Sequence, residues 1–304
     1  MAFTSPASSS SMSTLEDKRI DMIFFKGYEE IPRLYEQYLS EKKSTTAWNE
    51  YGKAVPLGNA GEIEEGAIPI FDAPDQYSAK RVTNIRIGKG FAATEKIYMN
   101  DVHGILSQLP DDLSRAVRYT IDVRAARPFN FGFVTTYFTA YDGYAMFHTA
   151  HVLKDGNTYG NRPATDVVFS PDALEDAIIA FEYQPNDRNQ RMRCKARAIW
   201  SRDDLRFKVD RALNSKGRPD MDTNDKNVLT GENLVHIKVP HITSATAWGL
   251  LGEKKLVRWF FQIREKMKTD RRIEFYSRNY EFIASEWLEI AALDWIATWG
   301  TTGA

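Results

Sequence analysis

His148 and His151 close the segment Tyr141-Asp-Gly-Tyr-Ala-Met-Phe-His-Thr-Ala-His151, and Asp155-Gly156-Asn157 follows as a turn. Two imidazoles beside an oxygen-rich turn could hold a divalent metal and polarise a bound water, the chemistry of a metal-dependent hydrolase. The common zinc-protease arrangement sets its histidines four apart on a helix, with a glutamate beside the first, so that both rings face one ion. Here the spacing is three, and neither intervening residue, Thr149 or Ala150, is an acid. The rings would share a face only in a helix, whereas the flanking aromatics and the turn predict a strand running into a turn. His103, His236 and His241 lie elsewhere and could in principle complete a site. We read the pair as structural, fixing hydrogen bonds around the turn, and assign no catalytic residue, metal ligand or cofactor-binding residue.

Other catalytic constellations are missing. Gly88-Lys89-Gly90 lacks the further glycines and the Lys-Ser/Thr of a phosphate loop, and no Gly-x-Ser-x-Gly elbow occurs. The acid pairs Asp203-Asp204 and Glu64-Glu65 fit a helix first turn and a solvated loop. The chain therefore does not read as an enzyme. The single cysteine, Cys194, allows no intramolecular disulfide and reads as inert core in a reducing compartment. Around it Arg191, Arg193, Lys195 and Arg197 alternate with Met192, Cys194, Ala196 and Ala198, which predicts a strand with one basic and one apolar face. That basic face is either simply solvated or turned toward an acidic neighbouring subunit or nucleic acid.

A chain of 304 residues with 43% hydrophobic content can bury one large core or two modest ones. Forty basic residues against 41 acidic ones argue against a protein whose main task is gripping phosphate backbones, so any nucleic-acid contact is local and weak. The apolar stretch 283–299 is interrupted by Glu286, Glu289 and Asp294 and cannot be a membrane-spanning helix. The Ser-rich residues 1–14 carry no apolar secretion segment and read as a flexible arm on a soluble chain.

Several elements follow from local signals. Phe24, Tyr28, Ile31, Tyr35 and Tyr38 form one helical stripe, with Gly27 and Pro32 expected to split it into two pieces. Residues 67–71 and 81–87 bracket the turn-rich Asp72-Ala-Pro-Asp75 and predict a hairpin with too little apolar surface to stand alone. A helix is expected from Pro110 at its first position, with Asp111 and Asp112 in its first turn, Arg124 and Arg127 in its last, and Leu113, Ala116, Val117, Thr120 and Ile121 inward. With 101–108 as a preceding helix, it would make a spine of roughly 40 Å. Ser170 with Pro171, and Ser201 with Asp204, mark two further helix starts. Residues 256–263, 272–277 and 279–299 are expected as antiparallel strands.

The ordered segments Asp111-Asp-Leu-Ser-Arg-Ala116, Asn130-Phe-Gly-Phe133 and Asp142-Gly-Tyr-Ala-Met-Phe-His-Thr-Ala-His151 resemble the major capsid proteins of tailed bacteriophages, especially the Mu-like major head subunits. In that group an Asp-Gly-x-x-Leu-Phe-Ser-Thr-Ala-His segment precedes a Gly/Asn-rich turn and a Ser-initiated helix, matched here by 157–161 and 170–174. The likeness continues through 213–219, 224–229 and 239–251, and so covers roughly residues 100 to 300. His148 stands where serine is usual, and Met146 where leucine is.

The resemblance implies an α+β chain of the Hong Kong 97-type fold. Its parts would be an N-terminal arm (1–50), an extended E-loop region (51–97), a peripheral domain with the spine helix (98–130), an axial α/β domain (131–254) and returning peripheral strands (255–304). The implied function is a major capsid protein whose pentamers and hexamers enclose double-stranded DNA in an icosahedral head, located in the virion and assembled in the host bacterial cytoplasm. A separate scaffolding protein, a portal, a possible decoration protein and weak nonspecific DNA contact are the implied partners, with no membrane and no cofactor. Glu64, Glu65, Lys80 and Arg81 are expected in pairs between subunits, with Ile68, Ile70 and Phe71 supplying apolar contact. An encapsulin-like nanocompartment shell is the alternative, ahead of a metal-dependent hydrolase.

Overall fold

The computed structural model describes residues 9–69, 71–94, 96–97, 104–215, 217 and 226–303 of an α+β chain. Two compact units interleave along the sequence, one made of Met1–Leu34, Asn84–Arg124 and Ile263–Leu288, the other of Tyr35–Thr83, Ala125–Gln262 and Glu289–Ala304. Residues 51–97, expected as one segment, thus divide after Thr83.

In the first unit, helix α1 (Ser9–Glu30) covers much of the expected arm; residues 1–8 lie outside the described part. Ile20, Phe24 and Tyr28 repeat at four-residue spacing and are buried, with Phe24 6.0 Å from the Phe282 ring. Gly27 does not split the helix. It lets α1 approach α2 (Ile105–Ala125) closely, since a Cβ there would come within 2.6 Å of Ser114 Oγ. Pro32 ends the helical run instead of starting a new one, and Tyr35 lies in a 3-10 turn, Leu34–Gln37, in the second unit.

The expected spine start is also corrected. Helix α2 begins at Ile105, which places Pro110 inside it and moves Asp111 and Asp112 out of the first turn. Its 21 residues make about 32 Å, shorter than expected. Leu113, Val117 and Ile121 face inward and are buried as read, while Ala116 and Thr120 are half-buried. Pro128 opens the short helix α3 (Arg127–Asn130).

The remainder of the first unit is sheet. β4 (Ile85–Ala93) pairs antiparallel with β11 (Tyr280–Ala292), from Ile85 opposite Leu288 to Ala93 opposite Tyr280, and β11 returns from β10 (Trp259–Ile273). Of the expected strand 272–277, Arg272 and Ile273 end β10 and 274–277 form the turn to β11, where Glu274 N donates to Asn279 O at 2.9 Å. Gly88-Lys89-Gly90 lies in β4, and a Cβ at Gly90 would come within 2.5 Å of Phe282 O, so its glycine serves close strand approach.

The second unit includes β1 (Ser40–Lys43) and a separate ribbon that pairs β2 (Trp48–Ala54) with β3 (Gln76–Thr83). This replaces the expected hairpin of 67–71 with 81–87. Pro69 has no N–H for a ladder in the middle of the predicted strand, and the described residues of 55–75 form an irregular loop between β2 and β3. Register slips between Tyr51–Lys80 and Lys53–Tyr77, so two steps along β2 match three along β3.

The main sheet of this unit has the order β12-β9-β7-β8: β12 (Thr298–Thr301), β9 (Trp248–Leu251), β7 (Ala198–Ser201) and β8 (Val235–Lys238). Only β7 and β8 are parallel. Trp200 and Trp248 are fully buried, as are Phe129, Phe147 and Trp259. Helix α4 (Pro171–Glu182) starts as expected, with Ser170 Oγ accepting from Ala173 N at 3.1 Å. Helix α5 (Arg206–Asn214) does not, because Ser201 ends β7 and a 3-10 turn, Asp203–Leu205, comes first.

The basic strand expected over 191–198 forms only at Ala198. Arg193 takes a left-handed conformation, φ +50°, that breaks a ladder. The alternation survives as exposure: Arg191, Arg193, Lys195 and Arg197 face outward, while Cys194, Ala196 and Ala198 are buried.

Candidate functional site

His151 opens β5 (His151–Val152), which pairs with β6 (Thr158–Tyr159) across a turn closed by Leu153 N donating to Asn157 O at 2.8 Å. Gly156 there has φ +85°. The imidazole is fully buried and stacked 4.5 Å from the Trp295 ring. Its Nδ1 is 2.6 Å from Asp142 Oδ2 and its Nε2 3.1 Å from Asn161 Oδ1. Asn161 Nδ2 donates to Met146 O at 2.8 Å and to Thr298 Oγ1 at 3.2 Å, which fixes its Oδ1 as acceptor. Both ring nitrogens of His151 are therefore engaged by partners within the protein. His148 Nδ1 accepts from Ala150 N at 3.1 Å, and its ring stacks on Tyr144 at 4.6 Å. The arrangement is a polar core joint. It includes Asp142 and Asn161, partners the sequence reading did not assign.

Ser201 and His236, missed as a pair in the sequence, lie 2.8 Å apart between Oγ and Nε2. Ser201 is buried and donates to Arg202 O at 3.2 Å, so Nε2–H is the donor to Ser201, the wrong direction for activating a nucleophile. Burial, then the charge of Lys238, pulls His236 down to about 4.

A third centre gathers Lys53, Asp187 and Asp294. Lys53 Nζ lies 3.0 Å from Asp187 Oδ1 and 2.8 Å from Asp294 Oδ2. Tyr77 donates to Asp187 Oδ1 at 3.1 Å, and burial together with the Asp187 charge pushes its phenol up. Burial also pushes Asp294 up, outweighing the ammonium beside it. One signal was legible: Asp294 interrupts an apolar run, and a buried acid needs a partner.

The residues expected at subunit contacts fall into two classes. Glu64, Glu65, Ile68 and Phe71 are exposed on the 55–75 loop, with Ile68 at 82% and Phe71 at 83%; Ile70 lies outside the described residues. Lys80 and Arg81 are on β3. Lys80 is engaged within its own unit, donating to Thr139 O at 2.9 Å, and burial lowers its ammonium. Arg81 covers the Trp48 ring at 4.1 Å. Of the basic row, Arg191 covers Tyr183 at 4.2 Å, Arg197 pairs with Glu253 at 3.2 Å, and Arg193 and Lys195 help line a surface cleft of about 690 Å³. Burial pushes the Cys194 thiol up, away from reactive thiolate.

A profile of the family described as phage capsid protein matches residues 79–297. The search of curated proteins found no match. Among solved structures, the chain is similar to the capsid of bacteriophage JBD30, with 13% identity and a TM-score of 0.54 over 89% of this chain and 65% of that one. It thus spans about two thirds of that relative's length. It is also similar to a chain of Microbacterium phage Oxtober96 (12% identity, TM-score 0.56, 86% and 84% covered). A third likeness is to the SrpI encapsulin complex of Synechococcus elongatus PCC 7942 (11% identity, TM-score 0.52, 90% and 88% covered). The shared architecture is the Hong Kong 97-type fold.

Proposed function

The chain belongs to the phage capsid protein family, and from that premise we propose that it is the major head subunit of a tailed phage, closing as pentamers and hexamers around double-stranded DNA. The observation that carries this reading is the 55–75 loop. Leu57, Ile63, Ile68 and Phe71 are each more than half exposed on a segment without regular structure, held by a two-stranded ribbon. Apolar side chains displayed on a long loop need cover from another subunit, and rings of identical subunits supply it through heterologous contacts. Glu64 and Glu65 on the loop, with Arg81 on the ribbon, would form peripheral pairs that set register more than strength.

Assembly in the host bacterial cytoplasm, a separate scaffolding protein, a portal and a possible decoration protein complete the proposal, as does weak DNA contact, for which Arg193 and Lys195 are the exposed candidates. The finer likeness to Mu-like head subunits rests on the quoted sequence segments. An encapsulin-like compartment is the second reading, favoured by the structural likeness to the SrpI complex. Expression of the full chain with and without its scaffold, followed by electron microscopy, tests both. Closed shells carrying DNA support the head subunit, shells loaded with a protein cargo support the compartment, and persistent monomers under every condition defeat both.

A further inference from the structure

We propose that Lys53 and Asp294 become joined by an isopeptide bond inside a single chain, formed spontaneously in the folded second unit with Asp187 carrying the proton. The donor nitrogen already touches the acceptor carboxylate at 2.8 Å, and the three side chains are at most 6% exposed. One ammonium faces two carboxylates. Asp187 Oδ2 and Asp294 Oδ1 are buried without a hydrogen-bond partner, so the centre is over-supplied with negative charge and under-supplied with donors.

The surroundings are apolar. Val82, Tyr141, Ala291 and Leu293 form an apolar cluster with Tyr51, Tyr77 and Phe260 packed against it, and Nζ lies 5.3 Å from the Tyr77 ring centroid and 6.0 Å from that of Tyr141. Transfer of one ammonium proton to Asp187 removes charge from this low-dielectric space and leaves a nucleophilic amine against the Asp294 carboxyl. The upward push that burial gives Asp294 acts in the same direction. Arg258, which donates to Gly52 O at 3.3 Å, is the other cation acting on Asp294.

The step balances. The Lys53 nitrogen lone pair attacks Asp294 Cγ and a C–N bond forms; a Cγ–O bond breaks, and that oxygen leaves as water with two former N–H protons, one of them delivered by Asp187. Ammonium and carboxylate become amide and water, nothing is oxidised or reduced, and Asp187 ends as it began. Intramolecular reactions of well-oriented groups reach effective concentrations of roughly 10⁵ M or more, which drives a condensation that free amines and acids in water do not undergo.

The test is mass spectrometry of the purified full-length chain, intact and after denaturing proteolysis. The expected result is a chain lighter by one water and a branched peptide joining Lys53 to Asp294. Peptide mapping separates this from cyclisation at Asp142-Gly143 or Asp155-Gly156, which removes the same mass at other residues. Lys53→Arg should abolish the branched peptide, and Asp187→Asn, which leaves the reacting pair in place, should slow its appearance roughly 100-fold. Wild-type protein that yields only separate linear peptides for Lys53 and Asp294 overturns the bond. Undiminished formation in Asp187→Asn overturns the role given to Asp187.

Discussion

At His151 two rules of burial meet: an imidazole with no exposed surface must satisfy both nitrogens, and a buried carboxylate must have a donor. His151→Ala leaves Asp142 without its 2.6 Å partner, so urea unfolding should show a loss of about 3 kcal/mol; an unchanged midpoint would refute the joint. His236 gives a pH effect of known sign. Its folded value near 4 lies below the ordinary histidine value of 6.5, so between these the unfolded chain binds a proton that the folded chain refuses. Its contribution is complete above pH 6.5 and declines as pH falls toward 4, by on the order of 1 to 2 kcal/mol after allowance for partial exposure. A stability–pH curve of His236→Gln should be flatter in that window, and identical slopes would contradict the assignment. The histidine pair was legible because its residue types are rare and close together. The grouping of Lys53, Asp187 and Asp294 was not: Asp294 shows only as a break in an apolar run, and nothing in their local sequence says which distant residues they meet.

Among the elements, one helix start with a complete local signal was read correctly. Ser170-Pro171-Asp172 carries a cap, a first-turn proline and a first-turn acid, and α4 begins there. Ser170→Ala should cost about 1 kcal/mol in thermal or urea unfolding, the ordinary value of a lost cap; no change would show the hydrogen bond to Ala173 N to be dispensable. Ser201 carries a similar signal and yet ends a strand, because β7 is held between β8 and β9 and sheet pairing overrides a cap. Pro110 misled the reading in the opposite direction: helix α2 runs five residues ahead of it, from Ile105. The 191–197 segment shows that period-two exposure does not require a strand, since packing of Cys194 and Ala196 alone keeps the alternating residues outward.

For the molecule as a whole, the 55–75 loop separates folding from assembly. Gly58 N donates to Asp72 Oδ2 at 2.5 Å, so the loop closes on itself and can be removed at that point. Deleting 59–71 should leave circular dichroism and thermal midpoint close to those of the intact chain while shells fail to form by sedimentation and microscopy. An unfolded deletion variant would make the loop part of the core, and normal shells would remove its assembly role. The amino-acid sequence alone carried the family likeness, and through it the expected fold class, in ordered segments between residues 100 and 300, and it marked the start of α4 because cap, proline and acid lie within one turn of one another. Tertiary structure alone decided where β2 and β3 pair, which face of β2 is buried, and that Lys53 is held between two aspartates. A strand presents alternate residues to opposite faces, and the register irregularity between Tyr51 and Lys53 is set by pairing with β3, so no local pattern could say that this lysine points inward.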